Sequence, residues 1–233
     1  MADAKPAAEY LFKDHTRTVA PDDFWGQVKR TVNGKPVTQD QIDMIVAAMS
    51  AALALQAGDE LLDLGCGNGA LTTYFFRQCT GGLGVDFSDF LIEAANKHFT
   101  QRASERYRCG DAVSFVETTA ETPFTKALSY GTFQYFDHAN APRVLRALHD
   151  RFPRLRRMVI GNHPNKARIE NFYGAGKVPP GIEDRLDSPI GIWRTPEQLG
   201  AIAAAAGWAA TPHFMPAAYH ASHYRFDLIL ERV

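Results

Sequence analysis

Residues 60–76, ELLDLGCGNGALTTYFF, contain the pattern that most restricts how this chain can fold. An apolar run carries one acid, Asp63, and glycines then follow at positions 65, 67 and 69 before a helical pattern begins. Glycine lets the backbone turn sharply and approach a ligand closely, and the first turn of a helix offers free N–H groups. The stretch therefore predicts a strand, a ligand-binding turn and a helix, the arrangement typical of nucleotide-binding α/β proteins.

Length and charge limit the remaining possibilities. The chain has 233 residues, 45% apolar residues and a formal net charge of -1, which fits one α/β domain that binds a small molecule. Near-neutral charge argues against nucleic acid or a membrane surface as the main partner. A local basic run is better explained as a solvated face than as an RNA site; it contains Arg143, Arg146, Arg151, Arg154, Arg156 and Arg157.

The three cysteines, Cys66, Cys79 and Cys109, form no C-x-x-C pair, so we expect a reducing, cytoplasmic setting without disulfides or zinc. No signal sequence or membrane span is predicted. The oligomeric state is left open between monomer and homodimer.

Short apolar strands alternate with helical patterns along most of the chain. The spacing predicts strands over 60–64, 82–86, 106–109, 126–130 and 156–161, and helices near 38–55, 69–79, 88–98, 138–151, 165–173 and 195–206. Such alternation predicts a doubly wound, Rossmann-like parallel sheet with helices on both faces. Two final strands, 211–216 and 223–231, have no helix between them and must therefore be antiparallel.

Three segments organise the chain. Residues 1–37, with aromatic side chains and a turn at Asn33-Gly34, are interpreted as an N-terminal cap on a domain that spans 38–233. T-x-x-Q patterns at Thr38 and Thr195 predict capping boxes for two helices. The Gly- and Pro-rich segment 174–194 is too long for a plain connection, so we interpret it as a lid over a substrate pocket.

Two cofactor classes use a glycine loop of this kind. With Ala70 the loop also satisfies G-x-G-x-x-A, and Tyr173 and Lys177 form a Y-x-x-x-K pair, both of which are features of nicotinamide-dependent oxidoreductases. The pair, however, spans Gly174-Ala175-Gly176, which forms a poor helix. A nicotinamide oxidoreductase is therefore the weaker alternative, and a cofactor-binding protein without activity is a third.

Three blocks resemble the class I S-adenosylmethionine-dependent methyltransferases over residues 40–233. They are Leu62–Gly69 (LDLGCGNG), Gly84–Ser88 (GVDFS) and Cys109–Ala112 (CGDA). The resemblance implies a seven-stranded sheet whose last strand is antiparallel, and S-adenosyl-L-methionine as the cofactor.

The resemblance also assigns roles to residues of the cofactor site. Asp63 and the backbone of Gly65, Cys66 and Gly67 would hold the methionine moiety of the cofactor. Asp86 would accept both ribose hydroxyls, and its removal is expected to abolish cofactor binding without unfolding the chain. The adenine would be contacted by Phe87, Asp111 and Ala112. Ser129, at the end of the fourth strand, is a further expected cofactor-binding residue. Asp111 has an alternative interpretation as a helix cap.

The acceptor side is less determined by the sequence. The fourth strand ends in SYGTFQYF without the N-P-P-Y that marks methylation of adenine, guanine or glutamine amides, and Tyr130 there is a candidate catalytic residue in the substrate pocket. His163, at the end of the fifth strand, is the predicted general base, and His138 is its rival. A hydroxyl acceptor needs such a base whereas a neutral amine does not, so O-methylation of a sugar or natural product is favoured over N-methylation.

A metal site is not expected. His220 and His223 are three residues apart beside the last strand, which would place their side chains on opposite faces, and His213 is remote in sequence. The sequence thus predicts a small-molecule methyltransferase that uses a histidine base.

Overall fold

The computed structural model describes residues 14–233, and its centre is a seven-stranded sheet with the order β5-β4-β3-β6-β7-β9-β8. Its strands are Glu60–Leu64 (β3), Gly81–Asp86 (β4), Glu105–Cys109 (β5), Lys126–Tyr130 (β6), Arg157–Pro164 (β7), Trp208–His213 (β8) and Arg225–Arg232 (β9). Strands β3 to β7 pair in parallel, and β9 pairs antiparallel with both β7 and β8. This topology confirms the predicted fold class, including the antiparallel last strand.

Helices cover both faces of the sheet, so two apolar cores form. The α-helices are Phe24–Gln27 (α1), Gln39–Leu53 (α2), Thr72–Phe76 (α3), Asp89–His98 (α4), Ala112–Thr118 (α5), Asn140–Arg151 (α6), Ile169–Tyr173 (α7) and Pro196–Ala205 (α8). One core packs α5, α6 and α8 against the sheet, and the other packs α2, α3 and α4 against its opposite face. Because both faces are covered, the central strands are apolar on both sides.

The predicted strand positions agree with the structure to within one to three residues. The largest strand shift is at β8, where the expected 211–216 lies at Trp208–His213. The helix expected over 69–79 is confined to Thr72–Phe76, because Gly69 adopts φ +78 and keeps the backbone in a turn. Helix α5 is not predicted from the sequence, because its seven residues are too few to show a recurring amphipathic pattern.

The two predicted capping boxes have different outcomes. Thr195 accepts a hydrogen bond from the backbone N–H of Gln198, whose side chain accepts from the Thr195 N–H, so this capping box is confirmed. Thr38 occupies the N-cap position of α2 but its side chain caps no backbone N–H, so that prediction is wrong. The partner expected there, Gln41, instead bonds to the loop between β8 and β9.

The described part of the N-terminal segment lies against the glycine loop. Strands Thr31–Val32 (β1) and Lys35–Pro36 (β2) form a hairpin, and the Asn33-Gly34 turn between them has positive φ at both residues, as predicted. The Asn68 side-chain amide donates to the Phe24 carbonyl and to Gln27 Oε1, which joins α1 to the loop. Residues 1–13 of the predicted cap, including Tyr10 and Phe12, lie outside the described residues.

Candidate active site

The carboxyl ends of β3 to β7 open into a cavity of about 840 Å³. Five parts of the chain form most of its wall: the glycine loop, the ends of β4 to β7, the N-terminal segment from Trp25 to Thr31, residues 186–190, and the loop before β9. Ligands of doubly wound sheets bind at this edge, near the point where the strand order reverses. Here that point lies between β3 and β6, directly beside the glycine loop.

The glycine loop is fixed by close contacts that leave no room for side chains. Gly65 has φ +78, and a Cβ there would lie 2.2 Å from the Thr132 hydroxyl oxygen. Gly67 has φ +58, and a Cβ there would lie 2.8 Å from Val28 of the N-terminal segment. Both positions therefore require glycine, and the loop presents its backbone to the cavity.

Asp86 lies at the end of β4 on the cavity wall, and it ties the glycine loop to the next turn. One carboxylate oxygen accepts the Gly67 N–H at 3.0 Å, and the other accepts the Ser88 N–H at 2.9 Å. Burial raises the pKa of Asp86 to about 6, although these two backbone N–H groups oppose the shift. Each oxygen keeps a second acceptor site, so hydrogen bonds to ligand hydroxyls are still available.

Asp63 lies beneath the loop and is not part of the cavity wall. Its carboxylate accepts a 2.6 Å hydrogen bond from the Thr72 hydroxyl. Burial raises the pKa of Asp63 to about 7, opposed by that hydrogen bond and by the positive charge of Arg30. Asp63 is therefore placed to hold the helix that follows the loop, and not on the cavity wall, where the sequence predicted a direct ligand contact.

Of the other predicted cofactor-binding residues, four lie on the cavity wall and one is buried in the protein interior. Cys66, Phe87, Asp111 and Ala112 line the cavity, whereas Ser129 is fully buried behind it and its hydroxyl has no partner among the described residues. Asp111 caps α5 by accepting the Ser114 N–H at 2.8 Å. The capping alternative is thus confirmed, and the second carboxylate oxygen of Asp111 is still available to a ligand.

A polar cluster occupies the other half of the cavity. The Tyr130 hydroxyl lies 3.0 Å from that of Tyr219, which donates to the Asn162 side-chain oxygen at 3.3 Å. Asn162 has φ +59 at a β-bulge and is held there by the Asp227 carboxylate, which accepts its N–H at 2.7 Å. Such a strained non-glycine residue is typical of functional sites. Burial raises the pKa of both tyrosines, so both hydroxyls stay protonated at neutral pH.

Two arginines give this half of the cavity positive charge. The Arg30 guanidinium lies over the rings of Trp25 and Tyr130 at 5.6 and 5.0 Å, and one of its nitrogens is buried without a hydrogen-bond partner within residues 14–233. Arg225 stacks on Tyr224 and donates to the Asn162 carbonyl. Neither arginine forms an ion pair with a described carboxylate.

Apart from Tyr130, these polar and cationic residues were not predicted from the sequence. Arg30 lies in a segment without a motif, and Tyr219 and Arg225 come together with Tyr130 only through the antiparallel return of β9. A signal existed only at Asn162, which belongs to the polar run at the end of the fifth strand.

The structure corrects the expected placement of both histidines. His163 is fully buried between Phe133 and Phe226, away from the cavity, and neither ring nitrogen has a partner among the described residues. Burial, with the charges of Arg194 and Arg225, holds the pKa of His163 well below its usual range. The bulge in β7 turns this side chain inward, so the ring cannot reach an acceptor in the cavity.

His138 is also outside the cavity wall. Its side chain is 64% exposed, and its Nε2 lies 3.5 Å from Asp184. The remaining predicted catalytic residue, Tyr130, does line the cavity.

The segment 174–194 lies across one side of the cavity. Leu186, Pro189 and Ile190 contribute to the wall, and the Tyr135 hydroxyl donates to the Pro189 carbonyl at 2.9 Å. Trp193 is buried at the end of the segment. Helix α7 ends at Tyr173 and Gly174 has φ +92, so Tyr173 and Lys177 do not form the helical pair of an oxidoreductase.

Residues 14–233 contain no group of three or more His, Cys, Asp or Glu side chains placed to hold a metal ion. His213 pairs instead with Asp227 at 3.0 Å. Across the same residues, none of the helices has the length and apolar character needed to cross a bilayer.

Comparison with known proteins gives three kinds of likeness. A family model described as "Methyltransferase domain" matches residues 61–152. An uncharacterized methyltransferase of Schizosaccharomyces pombe is 35% identical over 77 residues, which cover 33% of this chain and 28% of that protein. The chain thus matches about a quarter of the length of its curated relatives.

Solved structures resemble the chain over more of its length. The magnesium protoporphyrin IX methyltransferase of Synechocystis, solved with bound S-adenosylhomocysteine, has a TM-score of 0.61 at 16% identity and covers 84% of this chain and 83% of its own. A TehB-like S-adenosylmethionine-dependent methyltransferase of Corynebacterium glutamicum has a TM-score of 0.58 at 20% identity, with 94% and 98% covered. At these identities the likeness establishes the fold. Together with the domain match, it confirms the resemblance to class I methyltransferases that was predicted from the block Leu62–Gly69 and its two companion blocks.

Proposed function

We propose that this chain, which contains a class I S-adenosylmethionine-dependent methyltransferase domain, transfers a methyl group from S-adenosyl-L-methionine to an oxygen atom of a small molecule. The observation that carries the proposal is the single cavity in which the Asp86 edge of the glycine loop faces the Tyr130–Tyr219 pair. Methyl transfer is an in-line displacement, so the protein must hold two reactants side by side.

The residues of the glycine-loop half fit the cofactor. Asp86 offers two carboxylate oxygens to the vicinal ribose hydroxyls, while Phe87 and Ala112 line the space where the adenine would lie. Arg30 has an unpartnered guanidinium nitrogen close enough to Asp63 to lower its pKa, so it is suited to the carboxylate of the cofactor's methionine moiety. The cofactor supplies an electrophilic methyl group, and these residues orient it.

Charge in the acceptor half supports oxygen over nitrogen as the methylated atom. An amine acceptor is cationic in water, and it would enter a wall that carries Arg225, which forms no ion pair with a described carboxylate. A hydroxyl is neutral and can hydrogen-bond to the Tyr130 and Tyr219 hydroxyls or to the Asn162 amide. Because both tyrosines stay protonated, we assign Tyr130 to orienting the acceptor instead of removing its proton.

The segment 174–194 would act as a cover over the acceptor, a role supported by the three wall residues that it contributes. A chain that works on a small metabolite in this way would act in the cytoplasm, as the sequence predicted.

The experiment is methyl transfer from S-adenosyl-L-methionine carrying a labelled methyl group, with release of S-adenosylhomocysteine followed in parallel. Phenols, sugars and primary amines are offered as separate acceptor sets. We expect label to appear in a hydroxyl-bearing set and to be lost in Tyr130→Phe. Label in the amine set alone would contradict oxygen as the acceptor atom, and no transfer to any set would contradict the activity.

A further inference from the structure

His220 is the histidine that the structure places on the cavity wall. It lies in the loop before β9, directly after Tyr219, and its ring packs against that tyrosine at 4.5 Å between centroids. The side chain is partly buried, and its Nδ1 edge lies against Gln41 of helix α2. In the sequence, His220 was considered only as a metal ligand, and no metal site is expected there.

Gln41 on helix α2 fixes the orientation of this ring. The Gln41 side-chain oxygen accepts the backbone N–H of His220 at 2.9 Å, and its nitrogen donates to the Ala218 carbonyl at 3.1 Å. A backbone N–H can only donate and a carbonyl can only accept, so these two contacts determine which end of the amide is oxygen.

The same amide oxygen determines the tautomer of the imidazole. It lies 3.1 Å from His220 Nδ1, and since the oxygen accepts, Nδ1 must carry the proton. In the neutral ring Nε2 then holds the lone pair, and it has no hydrogen-bond partner among the described residues. Gln41 therefore leaves the basic nitrogen of His220 free.

Burial and the neighbouring positive charges keep the His220 ring neutral at physiological pH. Burial lowers the pKa of His220, and the positive charges of Arg225, Arg30 and His223 lower it further. No described carboxylate forms an ion pair with the ring. An imidazole that is neutral at pH 7 can accept a proton, whereas the protonated tyrosines beside it cannot.

We propose that His220 is the general base that takes the acceptor proton at Nε2, and that Gln41 is the residue that positions it. The proposal rests on the proposed function. In the step, the acceptor oxygen forms a bond to the methyl carbon, the sulfur–methyl bond breaks with its electron pair on sulfur, and the hydroxyl proton moves to Nε2. The proton leaves to solvent after product release.

Nuclear magnetic resonance tests the chemical state of the ring without an acceptor. The chain is labelled with ¹⁵N-histidine and saturated with S-adenosylhomocysteine, and His220→Gln assigns the resonances. We expect a neutral ring protonated at Nδ1, titrating below the usual value near 6.5. In Gln41→Glu a carboxylate replaces the amide and stabilises the imidazolium, so the titration should move to higher pH. A ring protonated at Nε2 would overturn the proposal.

Turnover of catechol, used as a probe acceptor because its hydroxyls stay protonated at neutral pH, tests the role in catalysis. His220→Gln should lower turnover by about a hundredfold at unchanged S-adenosylhomocysteine affinity, while the neighbouring control His223→Gln should not. Turnover should rise with pH through the pKa of His220, and Gln41→Glu should shift that rise to higher pH.

Full turnover in His220→Gln, or turnover that does not change with pH through the titration of His220, would overturn the base while leaving the methyl transfer itself intact. Loss of S-adenosylhomocysteine binding in the unmodified chain would instead remove the proposed function itself, so the two failures are distinguishable.

Discussion

Replacing Asp86 by alanine should destabilise the fold, contrary to the sequence-based expectation that this carboxylate serves only the ligand. The substitution leaves the N–H groups of Gly67 and Ser88 without acceptors in a buried turn. Each such loss costs about 1–3 kcal/mol, so the two together cost about 4 kcal/mol at the middle of that range.

The same substitution also removes a charge that folding buries. The pKa of Asp86 is raised from 3.8 to about 6, so above pH 6 the folded chain pays about 3 kcal/mol to keep this group ionised. At pH 5 the folded chain is protonated at Asp86 while the unfolded chain is not, and the corresponding cost is about 2 kcal/mol. The net destabilisation should therefore be about 1 kcal/mol at pH 8 and about 2 kcal/mol at pH 5.

Urea unfolding of the ligand-free chain at pH 8 and pH 5 measures this difference. Asp86→Asn is the matched variant, because its amide oxygen can accept one of the two N–H groups and it carries no titrating charge. Identical unfolding midpoints for Asp86→Ala and the unmodified chain at both pH values would refute the structural role of this carboxylate.

Three further outcomes are expected. Affinity for S-adenosylhomocysteine, measured by calorimetry, should fall as the pH drops below about 6, because the ionised Asp86 is the form that accepts two hydroxyls, and Asp86→Asn should show no such fall. His163→Leu should keep turnover, and a large loss of turnover would contradict the placement of His163 in the core. It should also lose less thermal stability between pH 7.5 and pH 5.5 than the unmodified chain. The pKa of the buried histidine is lowered, so only the unfolded chain takes up a proton below about pH 6.5, and the unmodified fold loses stability there. Gly191→Ala, which forces a Cβ to 2.6 Å from the Gln134 carbonyl oxygen at φ +76, should expose residues 174–194 to trypsin, and an unchanged cleavage pattern would show that the segment tolerates the strain.

Much of the fold could be read from local patterns. The strand–glycine–helix block and the alternation of strands and helices identify the sheet, because each reflects backbone chemistry within a few residues. The capping box at Thr195 succeeded for the same reason. The capping box predicted at Thr38 does not form, because the Gln41 side chain hydrogen-bonds to a loop nearly 180 residues later in the chain. A local sequence pattern contains no information about such a contact.

The acceptor half of the site could not be predicted because tertiary contacts build it. His163 follows a strand and precedes a proline, which made it attractive as a base, yet one bulge in β7 turns its ring into the core. Tyr219, His220 and Arg225 come to the cavity only because β9 returns beside β7. The cofactor half was more accessible, since Asp86, Asp111 and the glycines lie within or directly after the motifs that define it.

Calorimetric titration of the chain with S-adenosylhomocysteine and, separately, with NADP tests the central claim most directly. The glycine loop, Asp86 and Arg30 should bind S-adenosylhomocysteine as a saturable one-to-one complex, and Asp86→Asn should weaken it while NADP gives no saturable heat. Saturable binding of NADP, or no binding of S-adenosylhomocysteine by a chain shown to be folded, would contradict the assignment of this cavity to a methyl donor.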